Sequence, residues 1–140
     1  MKDKLSEIYW PLRVAYGLVP LLAGLDKYTN MLADWQRYVS PAAASMLPMS
    51  LETFMHIVGI VEIVVGLAVL FGFTRLGGLV VVAWLALISI NLVLAGYFDI
   101  AVRDLVMAVG AYTLSVVAAE RGEELVPSFA TRDAQRLAHQ

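Results

Sequence analysis

The chain has 140 residues, of which 60% are hydrophobic and 16% charged, and its mean hydropathy is +0.74. A soluble domain of that length needs more surface charge, so the composition points to an integral membrane protein with room for about four spans. A net charge of −2 without basic clusters argues against nucleic-acid binding, and the absence of cysteine excludes disulfides and thiolate chemistry within the chain.

Lys2 and Lys4 precede an apolar run, as in a secretion signal. Arg13 interrupts that run and no A-x-A cleavage site follows, so a retained first span over about 8–25 is expected. Arg13, Gly17, Pro20 and Gly24 recur at helical spacing, which puts an arginine on a face of small residues. An arginine there prefers the bundle interior to lipid, and Arg13 is assigned a structural or snorkelling role. Pro20 predicts a kink.

One long connection follows, with an amphipathic external segment over 29–48. Met31, Leu32, Trp35, Tyr38 and Val39 fall on one helical face, opposite Asn30, Asp34 and Arg37, which predicts a short helix lying in the membrane interface. Ser40-Pro41 reads as an N-cap followed by proline at the first helical position.

The second span covers about 51–73, with Ser50 as cap and Glu62 near its middle. Gly59 and Gly66 flank Glu62 at i−3 and i+4, so the acid sits on a close-packing face. Gly72-Phe73-Thr74-Arg75 turns the chain into the third span, 76–98. That stretch, LGGLVVVAWLALISINLVLAGYF, contains no charge. As a helix it is about 34 Å long, enough to cross the hydrocarbon core. Trp84 adds aromatic weight, and Tyr97-Phe98 falls where an interfacial belt sits. The fourth span, about 100–119, carries Arg103 and Asp104 early and Gly110 later; the tail, 120–140, is polar and partly helical. The whole chain is thus one all-α domain, a four-helix transmembrane bundle with a short interfacial helix in its first external loop.

Lys2, Lys4, Arg75, Arg121, Arg132 and Arg136 lie on the side of the termini, and Lys27, Arg37 and Arg103 on the other. That asymmetry predicts a multi-pass protein of the cell (inner) membrane with both termini cytoplasmic. Placing the spans antiparallel gathers Asp26, Lys27, His56, Glu62, Asn91, Arg103 and Asp104 in the outer half. An intramembrane acid is costly unless paired or protonated, so Glu62 marks a site. The expected partner is Arg103, about five residues or roughly 7 Å shallower on the fourth span, with Asn91 supplying a neutral hydrogen bond. The competing reading is that these groups only hold the helices together. His56 is read as an interfacial hydrogen-bonding residue, and the aromatic residues of the loop as membrane anchors.

No catalytic residue is identifiable. The two histidines, His56 and His139, cannot share one depth, which excludes bis-histidine haem ligation within one chain. No metal site, phosphate loop, nucleophile elbow or catalytic carboxylate pair is expected.

Arg13-x3-Gly17 followed by Gly24-Leu25-Asp26-Lys27 resembles the first helix of DoxX-family membrane proteins. Gly59-Ile60-Val61-Glu62 with Gly66-Leu67, Gly72 and Arg75 resembles their second helix and its exit turn. Ala101-Val102-Arg103-Asp104-Leu105 with Met107 and Gly110-Ala111 resembles the fourth helix of some relatives. The resemblance implies a four-helix membrane protein assembled with redox enzymes, the founding members being subunits of a thiosulfate:quinone oxidoreductase. The resulting expectation is a membrane subunit or accessory protein of a quinone-linked redox system. It would bind a quinone or dock a partner enzyme, and bring no covalent cofactor of its own. The lipid bilayer and a membrane complex or homo-oligomer are the expected partners. A structural or assembly anchor without a ligand is the first alternative, and a small solute transporter the second.

Overall fold

The computed structural model describes residues 2–138; the side chain of Lys2 and all of His139, both weighed above, lie outside the described residues. The helices are α1 (Lys2–Asp26), α2 (Pro41–Met46), α3 (Leu51–Leu70), α4 (Thr74–Ala95), α5 (Phe98–Glu120) and α6 (Ser128–Ala138), with a 3-10 turn at Trp35–Tyr38. Four of them, α1, α3, α4 and α5, are long and apolar enough to cross a bilayer. The protein is an all-α membrane protein.

Local chemistry sets the ends of these helices. Ser50 Oγ accepts the Thr53 N–H at the start of α3, and Ser40 Oγ accepts the Ala43 N–H at the start of α2, where Pro41 takes the first helical position. At the other end, α3 and α4 stop at Leu70 and Ala95, short of the 73 and 98 expected from apolarity. Gly72 (φ 118°) and Gly96 (φ 86°) follow in left-handed conformation. The N–H groups after them turn back to Ala68 O and Leu92 O, satisfying exposed carbonyls and reversing the chain within a few residues. The first helix runs unbroken through Pro11 and Pro20.

Around the bundle, α1 packs chiefly on α3 and α4 chiefly on α5, with α3–α4 and α1–α5 contacts closing the ring. Consequently α3 and α5 occupy opposite corners. One core layer gathers Tyr9, Val69, Leu114 and Ala118 near the start of α1 and the end of α5; a second gathers Val81, Leu85, Ala108 and Ala111. Tyr16 touches both layers and donates to Met107 O at 2.6 Å. Large apolar side chains such as Leu22, Ile60, Leu87 and Val109 stand exposed around the outside, the surface a bilayer covers.

Arg13 closes the end of the bundle that carries the start of α1. Its Nε and Nη2 donate to Val69 O (3.1 Å) and Leu70 O (2.6 Å), the last carbonyls of α3, and Nη1 donates to the Tyr9 hydroxyl (3.1 Å). Carbonyls at a helix C-terminus lack intrahelical donors and carry partial negative charge, so a guanidinium there serves both needs.

The interfacial helix over 31–39 contracts to the 3-10 turn. Asp26 Oδ1 accepts the Met31 N–H (2.9 Å), and Oδ2 accepts the Leu32 N–H (3.0 Å) and the Trp35 indole N–H (2.8 Å). These backbone donors are spent on a carboxylate instead of helical carbonyls, and Asn30 takes a left-handed φ of 50° to begin the wrap. Met31 and Leu32 remain exposed, while Trp35 and Tyr38 fold inward.

Candidate functional site

The site begins where the backbones of α1 and α3 meet. A Cβ added at Gly24 would fall 2.5 Å from Gly59 O, and one at Gly59 would fall 2.7 Å from Gly24 O. Seven residues along each helix, a Cβ at Gly66 would fall 2.6 Å from Gly17 O. Backbone therefore meets backbone at two levels of the antiparallel α1–α3 pair. Lys27, just beyond α1, uses this contact: its Cβ lies 3.3 Å from where a Gly59 Cβ would be. With that space open, the lysine stem runs down α3 and reaches the acid one turn deeper.

There Lys27 Nζ stands 2.5 Å from Glu62 Oε2, with the side chains 4% and 9% exposed. Trp84 of α4 donates its indole N–H to the other carboxylate oxygen, Oε1, at 3.3 Å. The Trp35 ring lies over the ammonium, 3.9 Å from Nζ to its centroid. Asp26, adjacent in sequence to Lys27, accepts no hydrogen bond from it; it fixes Trp35 through the indole N–H and thereby holds the ring on the ammonium. Three spans and the loop between α1 and α3 thus converge on one ion pair. Two opposite charges cancel at short range, and the indole face adds a cation–π contact in a site with little water.

The expected pairing of Glu62 with Arg103 does not form. Glu62 on α3 and Arg103 on α5 sit on opposite corners of the bundle, so similar depth gives no proximity. Arg103 instead donates Nε (3.1 Å) and Nη2 (3.0 Å) to the Asp104 carboxylate beside it. Its own side chain is 65% exposed, whereas that of Asp104 is 7% exposed. Asn91 supplies no bond to Glu62 either: its Oδ1 accepts the Ser40 N–H (2.9 Å) and its Nδ2 donates to Tyr38 O (2.7 Å), fastening the loop between α1 and α3 to α4. His56 stacks on Tyr28 with ring centroids 4.5 Å apart, and the Tyr28 hydroxyl donates to His56 O at 2.9 Å. Of the candidate residues, the structure brings Lys27 and Glu62 into contact, with Asp26 acting on them through Trp35.

Trp35 and Trp84 are site residues that the sequence did not single out: Trp35 reads there as a membrane anchor and Trp84 only as aromatic weight in the third span. The available signal was the nine-residue step from Asp26 to Trp35, which a loop folded around a carboxylate can close. Among the described residues, no three histidine, aspartate or glutamate side chains converge as metal ligands. What the arrangement offers is an ammonium with three N–H donors, one directed at Glu62, flanked by two indoles.

The DoxX family model matches residues 9–97. That range runs from Tyr9 to the α4–α5 turn and contains Asp26, Lys27, Trp35, Glu62 and Trp84; Arg103, Asp104 and Gly110 fall beyond it. No curated protein and no solved structure matches the chain. With more than half its length matched, from the first span through the fourth side of the site, the chain belongs to the DoxX family.

Proposed function

We propose that this protein is a membrane subunit or accessory protein of a quinone-linked redox system, and that the Lys27–Glu62 pair with its two indoles receives a quinone headgroup. The observation that carries this reading is the buried ammonium beneath Trp35 with donor capacity beyond Glu62. A quinone is a flat acceptor that partitions into the bilayer, where its carbonyl can take an N–H from Lys27 and its ring can lie against an indole. The ion pair would hold a proton donor next to that carbonyl, and electrons would come from a partner enzyme. In the proposed orientation both termini are cytoplasmic in the cell membrane, and the loop carrying Trp35 faces outward.

The test is purification in mild detergent, followed by organic extraction and by titration of tryptophan fluorescence with a short-chain benzoquinone. Saturable quenching is expected for the native protein. It should be lost in Lys27→Met/Glu62→Gln, which keeps the volume of the pair and removes the ammonium, with helix content unchanged. No saturable quenching, no extracted quinone and a stoichiometric protein partner would replace this reading with that of an assembly anchor.

A further inference from the structure

The C-terminal helix α6 has no place in the bundle, yet its start is fixed at the bundle's edge. Residues 121–127 separate it from α5, and they are pinned. The Arg121 guanidinium lies 4.2 Å from the centre of the Tyr9 ring and donates to Ser6 Oγ at 2.6 Å, while the Tyr9 hydroxyl donates to the Glu123 carboxylate. Phe129 then packs edge-on against Phe73 of the α3–α4 turn, with centroids 5.8 Å apart and planes at 85°. This helix therefore starts at the level where α3, α4 and α5 leave the membrane. From Thr131 to Ala138 every residue is exposed.

At about 100° per residue, Phe129, Ala130, Ala134 and Leu137 fall within one arc of roughly 140°. Thr131 and Gln135 lie opposite, and Arg132 and Arg136, one turn apart, border the arc beside Phe129. Asp133 falls inside the arc, between Phe129 and Leu137, and Arg136, three residues on, is the neighbour that offsets its charge. Phe71, in the same α3–α4 turn as Phe73, is itself 73% exposed and continues the apolar surface.

We propose that α6 lies flat on the membrane at the end of the bundle that carries the start of α1, with Phe129 and Leu137 in the headgroup–acyl boundary and Arg132 and Arg136 on the phosphates of anionic phospholipid. A bilayer is favoured over a protein partner because it is already present at the height of Phe129, and a tethered helix meets it at high effective concentration. Each arginine near an anionic surface raises the ratio of docked to undocked helix by about fivefold, so the pair contributes roughly 25-fold, of which Asp133 takes back about fivefold.

Because the chain has no cysteine, Ala134→Cys, Gln135→Cys and Leu137→Cys can each carry one nitroxide in the full-length protein. The protein is placed in nanodiscs of phosphatidylcholine, alone or with about a third phosphatidylglycerol. Collisions with oxygen report the membrane, and collisions with a water-soluble nickel chelate report the solvent. In anionic discs, labels at 134 and 137 should be shielded from nickel and open to oxygen, with the label at 135 showing the reverse. Arg132→Gln/Arg136→Gln should return the first two labels toward water by roughly 25-fold in the docked ratio. Equal nickel access at all three positions in both discs would overturn the proposal. So would shielding that is unchanged in neutral discs and in the double glutamine variant, which would remove the headgroup contact. Shielding only in discs holding more than one copy would assign the arc to a second chain.

Discussion

Lys27 meets Glu62 by running across Gly59, so the ion pair and the close approach of α1 to α3 are one feature. The small residue lets two backbones touch, and the same gap carries a four-carbon stem from the rim down to an acid inside the span. Neither charge is stable alone at that depth, because lipid and packed side chains solvate it poorly. Trp84 on α4 and Trp35 on the loop then complete a shell around a pair that two helices create.

Replacing Lys27 by methionine should leave Glu62 buried with a single indole N–H, at a cost of about 3–5 kcal/mol. Lys27→Met/Glu62→Met should recover most of that loss, since both charges go and the volume is kept. Thermal or SDS unfolding of the native protein, Lys27→Met, Glu62→Met and the double variant gives the coupling directly. Additive losses would show that the two side chains do not act as a pair.

The four spans were legible because apolar runs of that length with so few charges have no soluble use, and Glu62 stood out as an acid in the middle of one of them. Its partner was not legible. Depth along antiparallel helices can be counted from sequence, and it placed Arg103 within reach of Glu62. The order of helices around the bundle cannot be counted that way, and α3 and α5 turned out diagonal. Glycine spacing held the missing information, since Gly17 and Gly24 match Gly59 and Gly66 seven residues apart and bring α1, with Lys27 at its exit, against α3. The loop misled for a different reason. Its apolar residues have helical spacing, but Asp26 captures the N–H groups that a helix over 31–39 would need.

Asp26 should therefore govern the loop without greatly affecting the spans. In Asp26→Ala the amides of Met31 and Leu32 lose their acceptor and Trp35 loses its tether. Hydrogen exchange at those amides should rise by at least tenfold, equivalent to about 1.4 kcal/mol of lost protection. Amides in the middle of α3 and α4 should be unchanged. Unaltered exchange at Met31 and Leu32 would mean that the loop is held by something other than this carboxylate.

Two glycines should fail in different ways. Gly59→Ala places a methyl group 2.7 Å from Gly24 O, so α1 and α3 must separate, at about 1–3 kcal/mol of overpacking. Lys27 is displaced with them, and the variant should also lose the contact with Glu62. Gly96→Ala meets nothing within 4 Å, and its cost, about 1 kcal/mol, comes only from the left-handed backbone at φ 86°. Unfolding measurements should rank Gly59→Ala as more destabilising; the opposite order would show that the α1–α3 contact yields easily.

Orientation in the membrane is the last expectation, and it rests on charge placement. The end of the bundle with the start of α1 carries Lys4, Arg75, Arg121, Arg132 and Arg136, whereas Lys27, Arg37 and Arg103 belong to the other end. Lys27 is neutralised by Glu62, and Arg103 is held by Asp104, so the outer end offers even less free positive charge than a count implies. The end with α6 should then remain in the cytoplasm, where insertion retains lysine and arginine. Ser45 on α2 and Ser128 at the start of α6 are both exposed, and the cysteine-free chain lets each be replaced singly. On intact cells a membrane-impermeant maleimide should label Ser45→Cys and spare Ser128→Cys until the membrane is opened. The reverse pattern would turn the molecule over and place the Lys27–Glu62 site in the cytoplasmic half.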